Sequence, residues 1–369
     1  MIFYIVLISG SLYFILMIMF SLGWIRTRTF KREDQDHDIF CSVIVPVRNE
    51  ERNLPVLLDS LSVQTYNKEN YEVIIVDDNS VDSTYRIAED FCNKKKNFSM
   101  LRLDGQQGKK EAIIQGVKTA KGKLIITTDA DCRMSLDWLA VIAGFYSRYK
   151  PKMIICPVIL CDDNTIFSQL QALEFLGLTG SAAGATGIHH PVMCNGAGLA
   201  WEKERFFEFE DILRRKFISG DDMFFMLALK KKYRKEIMYL RSTEATVYTK
   251  AEPVFKDFIS QRMRWVSKGK GYDDPAVIIS ALIVYTINFV LLLLLVMMWF
   301  DAWYGILFLL LFTVKCITDL FFLNIISWFF KKQKLLLLLI PAQILYFLYV
   351  SFTGIAGMFG RYTWKGRRQ

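Results

Sequence analysis

Long uncharged runs at both ends of the chain decide where it can fold. Residues Ile2–Trp24 carry no charged side chain, and the C-terminal part holds three more apolar runs, about Ala276–Phe300, Trp303–Phe330 and Leu335–Phe359. Each has the roughly 20 residues a helix needs to cross a hydrocarbon core. The first run has no basic residue before it and outlasts the apolar core of a secretory signal, so it reads as an uncleaved anchor. Arg26, Arg28, Lys31 and Arg32 follow it, and Lys331, Lys332 and Lys334 lie between the last two runs. Basic loops favour the inside, so both sets, and the stretch between the ends, are expected on the cytoplasmic side of an inner or plasma membrane. Arg361, Lys365, Arg367 and Arg368 would fall outside if all four runs cross. Pro341, Gly354 and Gly357 interrupt the last run, so the side of the C-terminus stays open. Lys315 and Asp319 share a helix face inside the third run. They read as an internal ion pair, with the polar lining of a path as the alternative.

The middle of the chain follows a different pattern. Apolar runs Cys41–Val47, Tyr71–Val76, Met100–Leu103 and Leu124–Thr128 alternate with helix-like segments Arg48–Leu61, Ser83–Asn93 and Lys109–Ala120. Fully apolar strands alternating with helices argue for an α/β domain with a mostly parallel sheet covered on both faces. Further on, Met153–Val158 reads as a strand and Asn164–Leu178 as an amphipathic helix. Ser181–Gly187 is rich in small residues, a helix runs through Lys230, and Glu252–Lys268 is a helix suited to a membrane surface. The expected organisation is an anchor at 1–25, a cytoplasmic domain at 40–272 with its interfacial helix at about 252–268, and about three membrane helices at 276–359.

The net charge of +9 would suit nucleic acid, but the basic residues gather at membrane borders and in the run Lys230–Lys235, without interleaved aromatics. Attraction to anionic lipid accounts for them, and no nucleic-acid partner is expected. None of the seven cysteines has zinc or redox spacing, so reduced thiols are expected. His189 and His190 are adjacent and read as structural.

Polar clusters fall where strands end, which is where ligands bind in such sheets. Arg48-Asn49-Glu50, Asp77-Asp78 and Asp129-Ala130-Asp131 follow three different strands. Asp129 and Asp131 are carboxylates two apart, suited to a hard divalent cation such as Mg²⁺ or Mn²⁺ that could bridge diphosphate oxygens. Asp77 and Asp78 either accept hydrogen bonds from a nucleoside or cap the following helix. Lys109, a cation at a helix start, calls for an anionic partner, a phosphate being one. Asp221-Asp222 reads on its own as an acidic helix start, with general-base work as the alternative. In Gln261-Arg262-Met263-Arg264-Trp265, Arg264 could clamp a diphosphate and Trp265 could stack on a sugar.

In this order the clusters resemble family 2 of the nucleotide-sugar glycosyltransferases, and more narrowly its membrane-integrated branch of cellulose, hyaluronan, chitin and poly-N-acetylglucosamine synthases and ceramide glucosyltransferase. Val45-Pro46-Val47-Arg48-Asn49-Glu50, Asp77-Asp78-Asn79-Ser80, Gly108-Lys109, Asp129-Ala130-Asp131, Gly220-Asp221-Asp222 and Gln261–Trp265 carry the resemblance. It implies a GT-A-like fold, a divalent cation and inverting transfer from a nucleotide diphosphate sugar, a UDP-sugar by preference. By the same resemblance Asp222 is the catalytic base, although Asp221 stands where many relatives carry Glu. Pro46, Asn49, Glu50, Asp77, Asp78, Lys109, Asp129, Asp131, Gln261, Arg264 and Trp265 would bind the nucleotide sugar, with Asp129 and Asp131 holding the metal. Asn195–Gly198 resembles an acceptor-side segment more loosely. The expected acceptor is a membrane-associated lipid or glycan. The alternatives are a processive polysaccharide synthase that exports its product, a non-catalytic nucleotide-sugar sensor, and a transporter with a regulatory middle domain.

Overall fold

The computed structural model describes residues 2–32, 38–105, 107–161, 163, 165–209, 221–359, 363–364 and 367–368. They form two compact units, each discontinuous in sequence. One comprises Thr27–Ile159 and Met193–Lys250; the other comprises Met1–Arg26, Leu160–Val192 and Ala251–Gln369. Leu160–Val192 and the segment after Ala251, part of them within the expected domain at 40–272, group with the apolar helices.

The second unit begins with α1 (Ile2–Arg26). The first unit then starts with β1 (Cys41–Val47), α2 (Leu54–Ser62), β2 (Tyr71–Asp77), α3 (Thr84–Cys92), β3 (Phe98–Arg102), α4 (Lys109–Thr119) and β4 (Leu124–Thr127). It continues through β5 (Arg133–Met134), α5 (Trp138–Tyr149) and β6 (Met153–Ile155), and leaves along β7 (Val158–Cys161). After α6 (Ile166–Gly187) in the other unit, the chain returns in β8 (Leu199–Glu202), α7 (Lys203–Glu208), α8 (Asp221–Tyr233), β9 (Ile237–Tyr239) and β10 (Val247–Lys250).

Seven strands form one sheet in the order β3-β2-β1-β4-β8-β6-β9. β1, β2, β3 and β4 run parallel, β8 is antiparallel to both β4 and β6, and β9 is parallel to β6. The α/β expectation of a mostly parallel sheet flanked by helices holds. Val43, Ile44 and Val45 on β1 and Val73 to Val76 on β2 are fully buried, as expected of strands covered on both faces. Pro46 lies beyond the last β1–β4 pair, Ile44↔Thr127, on the edge of β1 that faces β4, so its missing N–H breaks no ladder bond. A Cβ on Gly116 would meet the Ile44 side chain at 2.6 Å, so α4 needs glycine to lie this close to β1.

Some element limits differ from expectation. Helix begins at Leu54 rather than Arg48, because Asn49 has φ 53° and the following amides bond to the β2 turn instead. The strand expected over Met153–Val158 breaks after Ile155. The expected helix and the small-residue stretch after it are one helix, α6, which Thr165 caps through the Ser168 N–H. Gly220 lies outside the described residues.

The other unit adds α9 (Phe255–Lys268), α10 (Pro275–Met297), α11 (Ala302–Phe330) and α12 (Leu339–Phe359) to α1 and α6. Among the described residues, four segments are long and apolar enough to cross a membrane: Ile2–Arg26, Pro275–Met297, Ala302–Phe330 and Gln333–Gly357. These agree with the four expected spans to within a few residues. A Cβ on Gly23 would collide with the Gly184 carbonyl oxygen, and one on Gly184 with the Phe20 backbone, so α1 and α6 touch backbone to backbone. Among the apolar helices, Lys315 donates to Asp319 Oδ2 at 2.7 Å and to Gln343. Gln343 donates to the same oxygen at 2.6 Å, and Tyr13 donates to Asp319 Oδ1. This is the internal ion pair favoured from sequence, with two further helices supplying neutral partners. Arg361 and Lys365 of the tail fall outside the described residues.

Candidate active site

Three strand ends of the α/β unit deliver polar groups to neighbouring places. At the end of β2, Asp77 is fully buried and accepts from the Ser80 N–H with both carboxylate oxygens, at 3.3 and 3.2 Å. Arg102 Nε lies 3.6 Å from it. Asp77 thus ties the turn after β2; it does not cap the following helix, whose N-cap is Ser83 with no side-chain cap bond. Asp78 accepts from the Gly108 N–H at 2.9 Å through Oδ1, and Arg48 reaches its carbonyl oxygen at 2.8 Å and Oδ2 at 3.4 Å. The start of α4 is thereby tied to the β2 turn.

The β1 and β2 turns brace each other. Asn49 (φ 53°) and Asn79 (φ 54°) both adopt the left-handed conformation that asparagine tolerates better than most residues. The Asn49 N–H donates to Ser80 Oγ at 3.0 Å, and Asn49 Oδ1 accepts from the Val81 N–H at 3.0 Å. Glu50 accepts from Asn53 Nδ2 at 2.8 Å, while its own N–H donates to Thr84 Oγ1. Asn49 and Glu50 therefore hold the rim in shape.

At the end of β4, Lys109 forms an ion pair with Asp129. This is the anionic partner that a cation at a helix start called for. Asp131 accepts from Thr249 Oγ1 at 2.9 Å. Burial, then the neighbouring Asp129 charge, push the Asp131 carboxyl above its ordinary range, and the Thr249 hydrogen bond opposes them only in part. Two carboxylates at such close quarters favour a cation between them. Among the described residues no third histidine, cysteine or carboxylate completes a metal cluster. The donor set fits a hard divalent cation that takes its remaining oxygens from phosphates and water.

Asp222, in the first turn of α8, is linked to this edge through a glycine. Its Oδ2 accepts from the Gly196 N–H at 3.0 Å, and its Oδ1 accepts from the Met223 N–H at 2.8 Å. Thr127 Oγ1, at the end of β4, donates to the Gly196 carbonyl at 2.8 Å. One peptide segment thus connects Asp222 to the end of the strand that Asp129 and Asp131 follow. A small cleft, partly open to solvent, lies alongside; Asp222, Thr127, Gly196 and Lys110 line it with apolar side chains.

The α/β unit thus brings Asp77, Asp78, Lys109, Asp129, Asp131 and Asp222 into one region. Gln261, Arg264 and Trp265 belong to the helical unit. There the central cation is Arg262, which sequence left without a role. It is 4 % exposed and bonds Glu174 in a bidentate pair at 3.0 and 2.8 Å. Its guanidinium lies 4.4 Å from the Phe258 ring centroid and 4.2 Å from that of Trp265. Burial works against the charge, but Glu174 outweighs it and holds the Arg262 pKa above its ordinary value. Gln261 accepts from Arg262 and donates to Glu252 Oε1 at 2.8 Å. The Glu252 N–H donates to Gln171 Oε1 at 3.0 Å, and Gln171 donates to the Glu252 carbonyl at 2.9 Å. Thr249, Glu174, Glu252 and Gln171 escaped sequence reasoning. None lies in a motif, and each acts on a partner far away in the chain.

The chain resembles known proteins along much of its length. It is 39 % identical over 100 residues to glycosyltransferase AglE of Haloferax volcanii, a match covering 27 % of this chain and 33 % of that one. It is 29 % identical over 258 residues to the dolichyl N-acetyl-alpha-D-glucosaminyl phosphate 3-beta-D-2,3-diacetamido-2,3-dideoxy-beta-D-glucuronosyltransferase of Methanococcus voltae, covering 63 % of this chain and 75 % of that one. The first of these matches spans only about a third of its relative. Among solved structures, the mannosyltransferase PcManGT of Pyrobaculum calidifontis, in complex with GDP-Man and Mn²⁺, shares the fold at TM-score 0.59 and 13 % identity, covering 96 % of this chain and 99 % of that one. Residues 42–237, more than half of the chain, match Glycosyl transferase family 2, and the chain belongs to that family.

Proposed function

We propose that this protein is a membrane-integrated glycosyltransferase that moves a sugar, with inversion, from a nucleotide diphosphate donor to a lipid or lipid-linked acceptor. The observation that carries this reading is the link from Asp222 through Gly196 to the β4 end where Asp129 and Asp131 lie. Family membership and the four apolar helices support it. The M. voltae relative, whose name specifies a dolichyl-linked sugar phosphate, supports the acceptor class.

In this mechanism Asp222 is the general base. The Gly196 N–H orients Oδ2, and the carboxylate removes the proton of an acceptor hydroxyl as that oxygen attacks the anomeric carbon. The bond to the nucleotide diphosphate breaks on the opposite side, and the diphosphate leaves with the electron pair. Lys109 supplies positive charge beside the leaving oxygens, where preorganised electrostatics act most strongly. Asp129 and Asp131 would hold a Mg²⁺ or Mn²⁺ ion, which when bound neutralises diphosphate charge. Asp77 and Asp78 shape the nucleoside side, while Gln261, Arg264 and Trp265 serve the diphosphate and the acceptor sugar. The catalytic unit faces the cytoplasm, with Arg26, Arg28, Lys31, Arg32, Lys331, Lys332 and Lys334 on that side. Closure of the Lys315–Asp319 pair by Tyr13 and Gln343 favours a single transfer over export of a polymer along these helices.

Asp222→Asn tests the central role. Transfer in membranes is expected to fall by about a thousandfold, with nucleotide binding kept, because the amide still accepts from Gly196 but cannot take the proton. Equal transfer by both proteins would remove Asp222 as the base.

A further inference from the structure

The helix α12 is long and apolar enough to cross a membrane, yet its contacts hold it at one depth along its length. α10 and α11 pack together and are joined by the short turn 298–301, so they run antiparallel. Exposed Trp299 and Trp303 at this turn mark one border of the hydrocarbon. Distance along either helix from the turn therefore measures depth. Near its start, α12 sends Gln343 to Lys315 and Asp319, and Lys315 Nζ lies 5.1 Å from the Tyr346 ring centroid. Lys315 stands 13 residues after Ala302, about 20 Å from the turn. Further on, a Cβ on Gly354 would overlap the Tyr285 ring. Tyr285 stands 12 residues before Met297, about 18 Å from the turn. The 11 residues from Gln343 to Gly354 thus use about 16 Å of helix and change depth little. Had α12 spanned, Gly354 would have met the turn end of α10 instead.

A charged helix runs beside it. The Phe258 ring of α9 meets that of Tyr349 at 5.3 Å, and a Cβ on Gly357 would come within 2.8 Å of the Val266 side chain. The steps from 258 to 266 and from 349 to 357 are equal, so α9 and α12 lie side by side in the same direction. α9 carries Lys256, Asp257, Arg262, Arg264 and Lys268 in 14 residues, too many charges for the hydrocarbon interior. On α12, Gln343, Ser351 and Thr353 are buried, whereas Ile340, Ile344, Leu348, Phe352 and Ile355 are exposed. We propose that α12 lies in the plane of the membrane, with this exposed face set in the acyl region of the leaflet that borders α9, and that only α1, α10 and α11 cross. At about 20 Å from the far border of a roughly 30 Å core, α12 sits some 10 Å below the near border, the depth of an interfacial helix. Three crossings return the chain end to the side entered after α1. The basic residues of the C-terminal sequence then obey the positive-inside tendency that a fourth crossing would violate. Lipid of that leaflet is the partner of the apolar face, and it holds the helix against which the Gln261–Trp265 motif helix is packed.

Two measurements on the full chain test this. In sealed membrane vesicles, one protein carries an epitope after Gln369 and a second carries it between Phe300 and Asp301, in the α10–α11 turn. Protease added outside should cut one epitope and spare the other, because the chain end and the turn lie on opposite sides. Cutting or protection of both together would mean that α12 crosses, and would overturn the proposal. For depth, nitroxide labels are placed at Ile344→Cys, Leu348→Cys, Phe352→Cys and Ile355→Cys, one at a time, in a chain whose native cysteines are replaced by serine. Their relative accessibility to oxygen and to a water-soluble nickel chelate should give depths within about 4 Å of one another, whereas a spanning helix spreads the same positions over about 16 Å. A steady change of depth from Ile344 to Ile355 would sink the in-plane assignment. Should the cysteine-free chain fail to fold, the epitope result decides alone. Neither measurement uses sugar transfer, so each stands whether or not Asp222 is the base.

Discussion

Gly196 donates its N–H to Asp222 Oδ2, and a Cβ at that position would stand 3.4 Å from the same oxygen. That is ordinary contact, so Gly196→Ala should be nearly neutral. Gly196→Val adds branches that can only push into the carboxylate, and a displaced base costs rate steeply. Transfer should fall by about tenfold or more in the valine variant, with donor binding kept. Equal rates for the alanine and valine variants would show that the placement of Asp222 does not matter. Arg262 raises a different question. Its bidentate pair with Glu174 is buried, so Arg262→Ala strands a carboxylate in the interior and should cost about 3 kcal/mol or more of stability. Arg262→Lys keeps the charge but loses the fork, and should recover only part of it. Thermal unfolding of the solubilised protein reads both. Among the basic residues of the Gln261–Trp265 motif, sequence favoured Arg264 for a binding role, and the structure adds a packing role for Arg262 that the spacing did not reveal.

At the scale of elements, α1 and α6 meet backbone to backbone in the helical unit. Small residues let helices approach closely where lipid offers no hydrophobic drive between them. A Gly184 side chain would run into the Phe20 backbone, and a Gly23 side chain into the Gly184 carbonyl. Gly184→Leu should therefore lower the thermal midpoint by about 5 °C or more, whereas Gly177→Ala should have little effect, because its Cβ would meet only the Leu323 side chain at 3.5 Å. Similar losses in both would mean that the helices tolerate separation. The small-residue stretch Ser181–Gly187 was visible in the sequence, but its partner was not. The residues it packs against, Phe20 and Gly23, are more than 150 positions away in the chain, and no local period reports such a meeting.

For the whole molecule, the pairing of Asp129 with Asp131 bears on cation dependence. Chelation of divalent cations should reduce transfer to near background, and added Mn²⁺ or Mg²⁺ should restore it. Asp131→Asn should weaken that restoration, raising the cation concentration for half-maximal rate by about tenfold. Full activity in chelator would remove the cation from the mechanism. The two compact units are each built from segments distant in the chain. The segment Leu160–Val192 leaves the α/β unit, joins the apolar helices through α6, and returns as β8, which pairs antiparallel between β4 and β6. A strand of four residues with no alternation says nothing about its direction or neighbours; pairing partners far away in sequence set both.

Period, charge and strand-end chemistry were enough to establish the apolar spans, the parallel core of β1 to β4 and the acidic clusters at their ends. These depend on neighbours within about a dozen residues, and local water exclusion and backbone geometry act over that range. The tertiary structure alone decided that Gly196 orients Asp222, that Thr249 bonds Asp131 and that Arg262 is anchored by Glu174. Each of those is a meeting of groups brought together by packing, and its energy depends on burial and angle, which chain order does not encode locally.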